Sequence, residues 1–217
     1  MEQPAVSHLN PARWPPARQG LSKDFLDEVK RERTAFGLAE IACEFGLRNL
    51  TIAMIVAQAK MARNTFYELF GNREEAVRYA AEFGNRRLWE AIDQASDHKG
   101  PWAQRVETII SQLLVTAEAA PDLTELCLLH ARGGEGVSVP YDEQLVQTLA
   151  GVIRPGRGDG AEAAPGPRTE ELLAYAILSV IATRLNRGEA EALSGLQGEL
   201  AALATGPFLA SKAPVNS

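Results

Sequence analysis

The sequence predicts an all-α protein, and three observations support this fold class. Ala, Leu and Glu are plentiful, whereas aromatic residues make up only 6% of the 217 residues. Runs of β-branched residues are few, and Ala, Leu and Glu are strong helix formers. Apolar residues recur three and four positions apart along most of the chain, and no segment alternates convincingly with a period of two. We therefore expect about nine helices, arranged as a three-helix N-terminal module and a larger C-terminal bundle.

The N-terminal end combines a tail with the first helix. Residues 1–20 contain four prolines and no periodicity, so they are interpreted as a disordered tail. Arg13 and Arg18 in this tail are either an arm for a DNA minor groove or simply solvated, and solvation is the simpler interpretation. Ser22 is suited to cap the first helix, and Gly46 is suited to end it. Apolar residues at helical spacing connect these two signals: Phe25, Val29, Phe36, Leu38, Ile41, Ala42 and Phe45.

Two short helices follow, and their spacing predicts a helix-turn-helix from Thr51 to Phe70. Thr51 is placed to cap the first of them, and a break falls at Lys60-Met61-Ala62. The second helix turns Phe66 and Phe70, four residues apart, into the core. The residues left outside at its N-terminal end are Arg63, Asn64 and Thr65. Their side chains offer donors suited to base edges and phosphates.

The rest of the chain reads as helices separated by turn residues. Gly71-Asn72 interrupts the pattern, and Arg73 then begins a long helix to about Asp97. Further helices are predicted to start at Pro101 and Pro121, and to cover 140–153, 169–187 and 189–203. Residues 154–167, rich in Gly and Pro, are interpreted as a linker, and 206–217 as a frayed tail.

The charge distribution separates the two parts of the chain. The net charge is −6, but residues 13–73 hold ten basic and seven acidic residues, while 74–217 hold twelve basic and twenty acidic ones. An acidic body that carries a mildly basic N-terminal module is typical of a DNA reader. Lys30, Arg31 and Arg33 alternate with acidic residues and are interpreted as a solvated helix face.

Cysteine usage and hydropathy indicate a cytoplasmic protein. Cys43 and Cys127 have no metal-ligand spacing and lie in apolar helical patterns, which predicts buried, reduced thiols. The N-terminus lacks the pattern of a signal peptide, and no apolar run reaches the ~18 residues of a membrane span.

No constellation of residues indicates an enzyme, a metal or a cofactor. Nucleophile, base and orienting groups do not occur together, and no strand precedes the glycines between 156 and 166. Cys127 and His130, three residues apart, lack further ligands for a metal. In the C-terminal part, Trp89 and Trp102 join them as candidates for a small-molecule pocket, with core packing as the simpler role.

Several residues in the N-terminal module match one known family at fixed spacing. Gly46-Leu47 closes the first helix, Leu50-Thr51 opens the second, and Ile55 and Ala59 follow within it. The stretch Thr65-Phe66-Tyr67-x-x-Phe70 fits the pattern T-[LF]-Y-x-x-F, and Arg73-Glu74-Glu75 stands where the family has Lys-Glu. From about Ser22 to Ala76 the chain thus resembles the tetracycline-repressor (TetR) family of bacterial regulators.

The resemblance implies a transcriptional regulator, most simply a ligand-responsive repressor. Residues 21–70 would be the DNA-binding domain, and 71–205 would bind a small effector and form a homodimer on a near-palindromic operator. Thr51, Tyr67 and Arg73 resemble the family's phosphate contacts, while Arg63, Asn64 and Thr65 occupy its base-reading zone. The dimer is expected to use helices near 140–153 and 169–187, whose apolar stripes include Leu145, Leu149, Leu173, Ile177 and Ile181.

The chain departs from the family pattern at several positions, two of them in the turn, and Ile55-Val56 stands where the family has Ile-Ala. Lys60 replaces a glycine, and a left-handed conformation there costs a non-glycine residue about 1 kcal/mol. Ala62 replaces a capping serine, and Glu68 replaces an aromatic residue or histidine. We expect Lys60 to compensate by contacting a phosphate. The alternatives are a three-helix module used only for packing, or a helical interaction protein that has lost operator binding.

Overall fold

The computed structural model describes residues 22–129, 143–157 and 166–210. Over these ranges the chain forms nine α-helices and no strand, which confirms the predicted all-α class. The helices are α1 (Lys23–Phe45), α2 (Ile52–Gln58), α3 (Arg63–Phe70), α4 (Arg73–Ser96), α5 (Trp102–Ala119), α6 (Pro121–Leu129), α7 (Glu143–Ile153), α8 (Thr169–Asn186) and α9 (Gln197–Ala210). Short 3-10 turns cover Arg154–Arg157, Ala190–Ala192 and Ser194–Leu196.

The predicted helix boundaries of the N-terminal module are confirmed by their capping contacts. The Ser22 hydroxyl oxygen accepts a hydrogen bond from the Phe25 N–H at 3.2 Å, and α1 ends before Gly46 at φ 80°. The Thr51 hydroxyl oxygen accepts one from the Met54 N–H at 3.3 Å. Each bond satisfies a backbone donor that has no partner within its helix.

One continuous core joins the N-terminal module to the bundle. Leu38 of α1, Ile55 of α2 and Phe66 of α3 are fully buried in the same cluster as Leu113 of α5 and Ile177 of α8. Helix α1 packs against both α4 and α6. Because α1 shares its core with these helices, the orientation of the module depends on the bundle beneath it.

The predicted helix 189–203 and the frayed tail 206–217 are wrong in part. Two 3-10 turns precede α9, which begins at Gln197, and residues 206–210 form its last turn. Glycines at 195 and 198 weaken an earlier helix start. The last turn is held because the buried Phe208 ring packs edge-on against Trp102, with 5.8 Å between ring centroids.

The predicted linker 154–167 is also structured at its beginning. The Trp102 indole N–H donates to the Val152 carbonyl at 3.1 Å, which holds the end of α7 against α5. A side chain at Gly156 would come within 2.3 Å of the same indole ring. The residues after α7 therefore fold back over Trp102 as a 3-10 turn.

The predicted dimer stripes are wrong at the level of side chains. The five residues proposed to meet a second copy are all buried inside the single chain: Leu145, Leu149, Leu173, Ile177 and Ile181. The apolar stripe of α7 faces α8 and α4, so it packs in the core of the single chain.

Some sequence-based expectations fall outside the described residues: the tail 1–20 with Arg13 and Arg18, His130, and residues 158–165 and 211–217. Both cysteines are free thiols, with Cys127 buried and Cys43 half-buried. Among the described helices, none is both long and apolar enough to cross a lipid bilayer.

Candidate nucleic-acid interface

Helices α2 and α3 are held on the body by three buried side chains. Ile55 and Phe66 are completely buried, and Phe70 is nearly so. The rings of Phe66 and Phe70 lie 5.4 Å apart between centroids, one turn apart on the inner side of α3. Because α3 has only eight residues, this packing rather than intrinsic helix stability keeps it folded.

The turn between the two helices adopts the left-handed conformation expected at a glycine. Lys60 has φ 50°, and it is the only non-glycine residue with positive φ in the described ranges. The Met61 N–H donates to the Val56 carbonyl at 3.0 Å, which closes the turn around Lys60. Ala62 has the extended conformation of an N-cap residue, but no side-chain hydrogen bond caps α3. The strain and the missing cap inferred from the sequence are therefore both present.

The exposed side of α3 has a crest and two flanks. Successive residues rotate by about 100° around a helix, so the direction opposite Phe66 and Phe70 is occupied by Asn64 and Glu68. Both are exposed, and we call this pair the α3 crest. On one flank, the Arg63 guanidinium donates to the Tyr67 hydroxyl at 3.3 Å and lies 5.8 Å from its ring centroid.

The other residues of α2, α3 and α4 that are predicted to contact DNA differ in how far they are exposed. Thr65 is half-buried on the other flank, and Thr51 is exposed although its hydroxyl oxygen caps α2. The half-buried Arg73 donates to the Leu50 carbonyl at 3.1 Å and pairs with Glu74 at 2.9 Å. Arg73 therefore ties the start of α4 to the residue that precedes the α2 cap, and its proposed phosphate contact stays a prediction.

The start of α4 stabilises the charged form of Glu74, the partner of Arg73. A backbone hydrogen bond at the helix N-terminus, followed by the hydrogen bond from the Arg73 guanidinium, lowers the pKa of the Glu74 carboxyl. The Asn72 side chain caps the same helix by accepting from the Glu75 N–H at 2.8 Å.

The C-terminal end of α3 is anchored by contacts that the sequence reasoning missed. The Arg31 guanidinium donates to the Leu69 carbonyl through two nitrogens, each at 3.4 Å. The Phe70 ring packs edge-on against Tyr79 at 5.6 Å, and the Tyr79 hydroxyl donates to Glu28 at 2.8 Å. Burial raises the pKa of Tyr79, which keeps this hydroxyl as a donor.

The prediction that Arg31 belongs to a solvated helix face is wrong for this residue. Its charge alternates with acidic neighbours, and the Glu28 carboxylate does lie 3.6 Å from it. The contact that matters structurally joins residues 38 positions apart, and no local pattern reveals it.

The predicted small-molecule residues do not meet at one described hollow. Trp89 is half-buried against the core, Trp102 holds the turn after α7, and Cys127 packs against Gly84, where an added Cβ would lie 3.0 Å from its sulfur. A hollow of about 300 Å³ instead opens between the ends of α4, α5 and α7, and its lining includes Arg105 and Thr148. In the described part of the chain, no three His, Cys, Asp or Glu side chains are placed to hold a metal ion.

The fold is similar to that of solved bacterial regulators. A TetR family transcription regulator from Marinobacter aquaeolei VT8 has a TM-score of 0.63 at 14% identity, with 87% of this chain and 97% of that chain covered. FadR from Bacillus subtilis, solved with stearoyl-CoA, has a TM-score of 0.63 at 16% identity, with coverages of 80% and 96%. AibR, solved with isovaleryl coenzyme A and operator DNA, has a TM-score of 0.56 at 15% identity, with coverages of 76% and 97%.

No protein-family model and no curated protein sequence matches the chain. The structural likeness covers 80% and 87% of this chain in two of these comparisons, so the expected TetR-type fold is confirmed.

Proposed function

We propose that this protein is a DNA-binding transcriptional regulator of the TetR type, acting in the cytoplasm as a ligand-responsive repressor. Residues 21–70 would form the DNA-binding domain and 71–205 the effector and dimerisation domain. The observation that carries the proposal is the α3 crest. A short helix packed through Phe66 and Phe70 presents only polar side chains outward, as a recognition helix in a major groove requires.

The residues proposed to contact DNA surround that crest. Asn64, Thr65 and Arg63 would face base edges, where asparagine suits adenine and arginine suits guanine. Thr51, Lys60, Tyr67 and Arg73 would contact phosphates. The exposed Lys60 side chain extends from the turn that precedes α3.

A gel-shift assay with the DNA upstream of the protein's own gene tests the proposal. We expect a sequence-specific shift by the wild-type protein and a reduction of at least tenfold for Arg63→Ala and Tyr67→Ala. Arg78→Ala, which removes an exposed cation of α4 that is not among the proposed DNA contacts, is the matched control. If neither that DNA nor a random duplex pool yields any specific shift, operator binding is excluded.

A homodimer is proposed through the exposed faces of α8 and α9. Leu172 is 67% exposed on α8, and Tyr175 lies one turn further along, while Leu203 and Leu209 are exposed on α9. The exposed positions of α7 are polar, among them Glu143 and Gln147. Because α8 and α9 contact each other and both carry exposed apolar side chains, we propose α9 instead of α7 as the partner of α8 in the interface.

Sedimentation velocity of the purified chain tests this assignment. We expect a dimer for the wild-type protein and a monomer for Leu172→Glu with Leu203→Glu. Val115→Glu, at an apolar position on α5 that is 50% exposed, is expected to leave the dimer intact. A monomeric wild-type protein would contradict the assignment.

The effector is proposed to be a small molecule bound in the body, with acyl-CoA thioesters as the first class to test. The support is that two proteins of similar fold were solved with stearoyl-CoA and isovaleryl coenzyme A. Thermal unfolding with each thioester, and with free coenzyme A as control, is the measurement. Binding raises the melting temperature and, for an effector, weakens the gel shift.

A second function is favoured by the turn itself. The left-handed Lys60 and the uncapped Ala62 weaken the turn, and the acidic Glu68 places a negative charge on the exposed side of α3. A helical interaction protein with a degenerate helix-turn-helix would retain the fold and the dimer but show no sequence preference in the gel shift.

A further inference from the structure

Glu68 occupies the most outward position of the helix proposed to enter DNA. It lies one turn beyond Asn64 and directly opposite the buried Phe66 and Phe70. If α3 enters a major groove, the side chains on this crest meet the base edges before those on the flanks do. Glu68 is therefore placed to face the same groove as Asn64, one turn further along α3.

The Glu68 carboxylate has no cationic partner among the residues that the structure describes. Its neighbours one turn away on α3 are Asn64 and Thr65, neither of which is charged. Within the described ranges it has neither an ion pair nor a hydrogen bond, whereas the nearby Arg63 is engaged with Tyr67. An unpaired negative charge on this crest repels DNA of any sequence, unless a base donates a hydrogen bond to it.

We propose that Glu68 is a specificity-determining residue that selects cytosine at one position of each operator half-site. This inference rests on the proposed DNA-binding function. The reason is the pattern of groups in the major groove. Cytosine presents a single donor there, its N4 amino group, while guanine and thymine present acceptors that repel a carboxylate. Adenine presents a donor beside an acceptor, so it is the weaker match.

The Glu68 carboxylate thereby affects the binding of both matching and non-matching sequences. It accepts a hydrogen bond where cytosine is present, and it raises the free energy of binding wherever another base takes that place. Discrimination arises because wrong sequences are repelled as well as because the right one is bound. Glu68, which looks like a defect beside the family pattern, becomes the residue that separates operator from bulk DNA.

Selection from a pool of random 30-base-pair duplexes, followed by sequencing, tests the inference for the full-length protein. We expect the wild-type motif to contain one cytosine per half-site that Glu68→Ala no longer selects, with a loss of about tenfold in discrimination at that position only. Glu68→Gln is expected to change the preferred base there to adenine, because an amide pairs with adenine through two hydrogen bonds.

Glu82→Gln is the control, since it removes an exposed carboxylate from α4, away from the crest. It should select the wild-type motif unchanged. An identical motif for the wild-type protein, Glu68→Ala and Glu68→Gln would contradict the inference while leaving the proposed function intact. A wild-type pool without any enriched motif would contradict the proposed function and, with it, the role of Glu68.

Discussion

The two ends of α3 are built in opposite ways. At its N-terminal end the chain passes through the left-handed Lys60 and begins the helix on Ala62, which supplies no cap. At its C-terminal end Arg31 donates to the Leu69 carbonyl, and Gly71 at φ 72° ends the helix without strain. The end proposed to enter DNA is thus held weakly, and the far end is held firmly.

This difference shows which interactions keep a short recognition helix in place. An eight-residue helix is unstable alone, so its position is set by side chains that reach the core and by long-range hydrogen bonds. Capping at the N-terminal end adds stability but does not determine the fold. A module built in this way can lack both the turn glycine and the N-cap side chain and still expose Asn64 and Glu68 on α3.

The largest expected effect comes from removing the core anchor. Phe66→Ala should lower the free energy of unfolding by about 3–5 kcal/mol, because a fully buried ring leaves a cavity. Urea unfolding followed by circular dichroism measures it. Phe45→Ala makes the same change at a ring that is 48% exposed and should cost much less. Equal losses in the two variants would contradict the assignment of Phe66 as the anchor.

The next effect is a gain of stability at the turn. Lys60→Gly should raise the free energy of unfolding by about 1 kcal/mol, since glycine adopts positive φ without strain. Thermal unfolding measures this gain. Lys60→Ala keeps the backbone strain and removes only the charge, so the same experiment on this variant separates the effect of strain from the effect of charge.

The same two variants test the proposed phosphate contact of Lys60. Each should reduce the slope of log binding constant against log salt concentration by about 1, because one phosphate contact is lost. An unchanged slope in both would show that Lys60 does not contact DNA.

A smaller gain is expected from restoring the cap. Ala62 already has the extended backbone of an N-cap residue, so Ala62→Ser should stabilise the protein by about 0.5–1 kcal/mol. Ala57→Ser, at an exposed position within α2, is the comparison and should be slightly destabilising. Chemical denaturation of both variants decides whether the missing cap weakens this end.

The smallest expected effect is the pH dependence of the stability that the Arg73–Glu74 pair contributes at the start of α4. The pKa of Glu74 is lowered in the folded protein, so its contribution is present above the unfolded pKa of about 4.3 and is lost as the pH falls. Because the pair with Arg73 is largely solvated, Glu74→Gln should cost at most about 0.5 kcal/mol at pH 7. The difference from the wild-type protein should shrink toward pH 3, and a difference that grows would contradict the assigned sign.

Local patterns were sufficient for most of the elements and for part of the site. The caps at Ser22 and Thr51, the ends at Gly46 and Gly71, and the burial of Phe66 and Phe70 all depend on residues within one turn of each other. The left-handed Lys60 was implied by the resemblance, because the family has a glycine at this position. These features could be predicted because the interactions that stabilise them join residues that are close in sequence.

The amino-acid sequence by itself determined the helical class, the helix-turn-helix and the identity of its polar residues. Only the tertiary structure decided that the stripes of α7 and α8 face each other and that Arg31 and Arg73 hold backbone carbonyls. The physical reason is that periodicity records which side of a helix is apolar, but not what covers it. A cation that bonds a carbonyl 38 residues away looks, in sequence, like any other solvated charge.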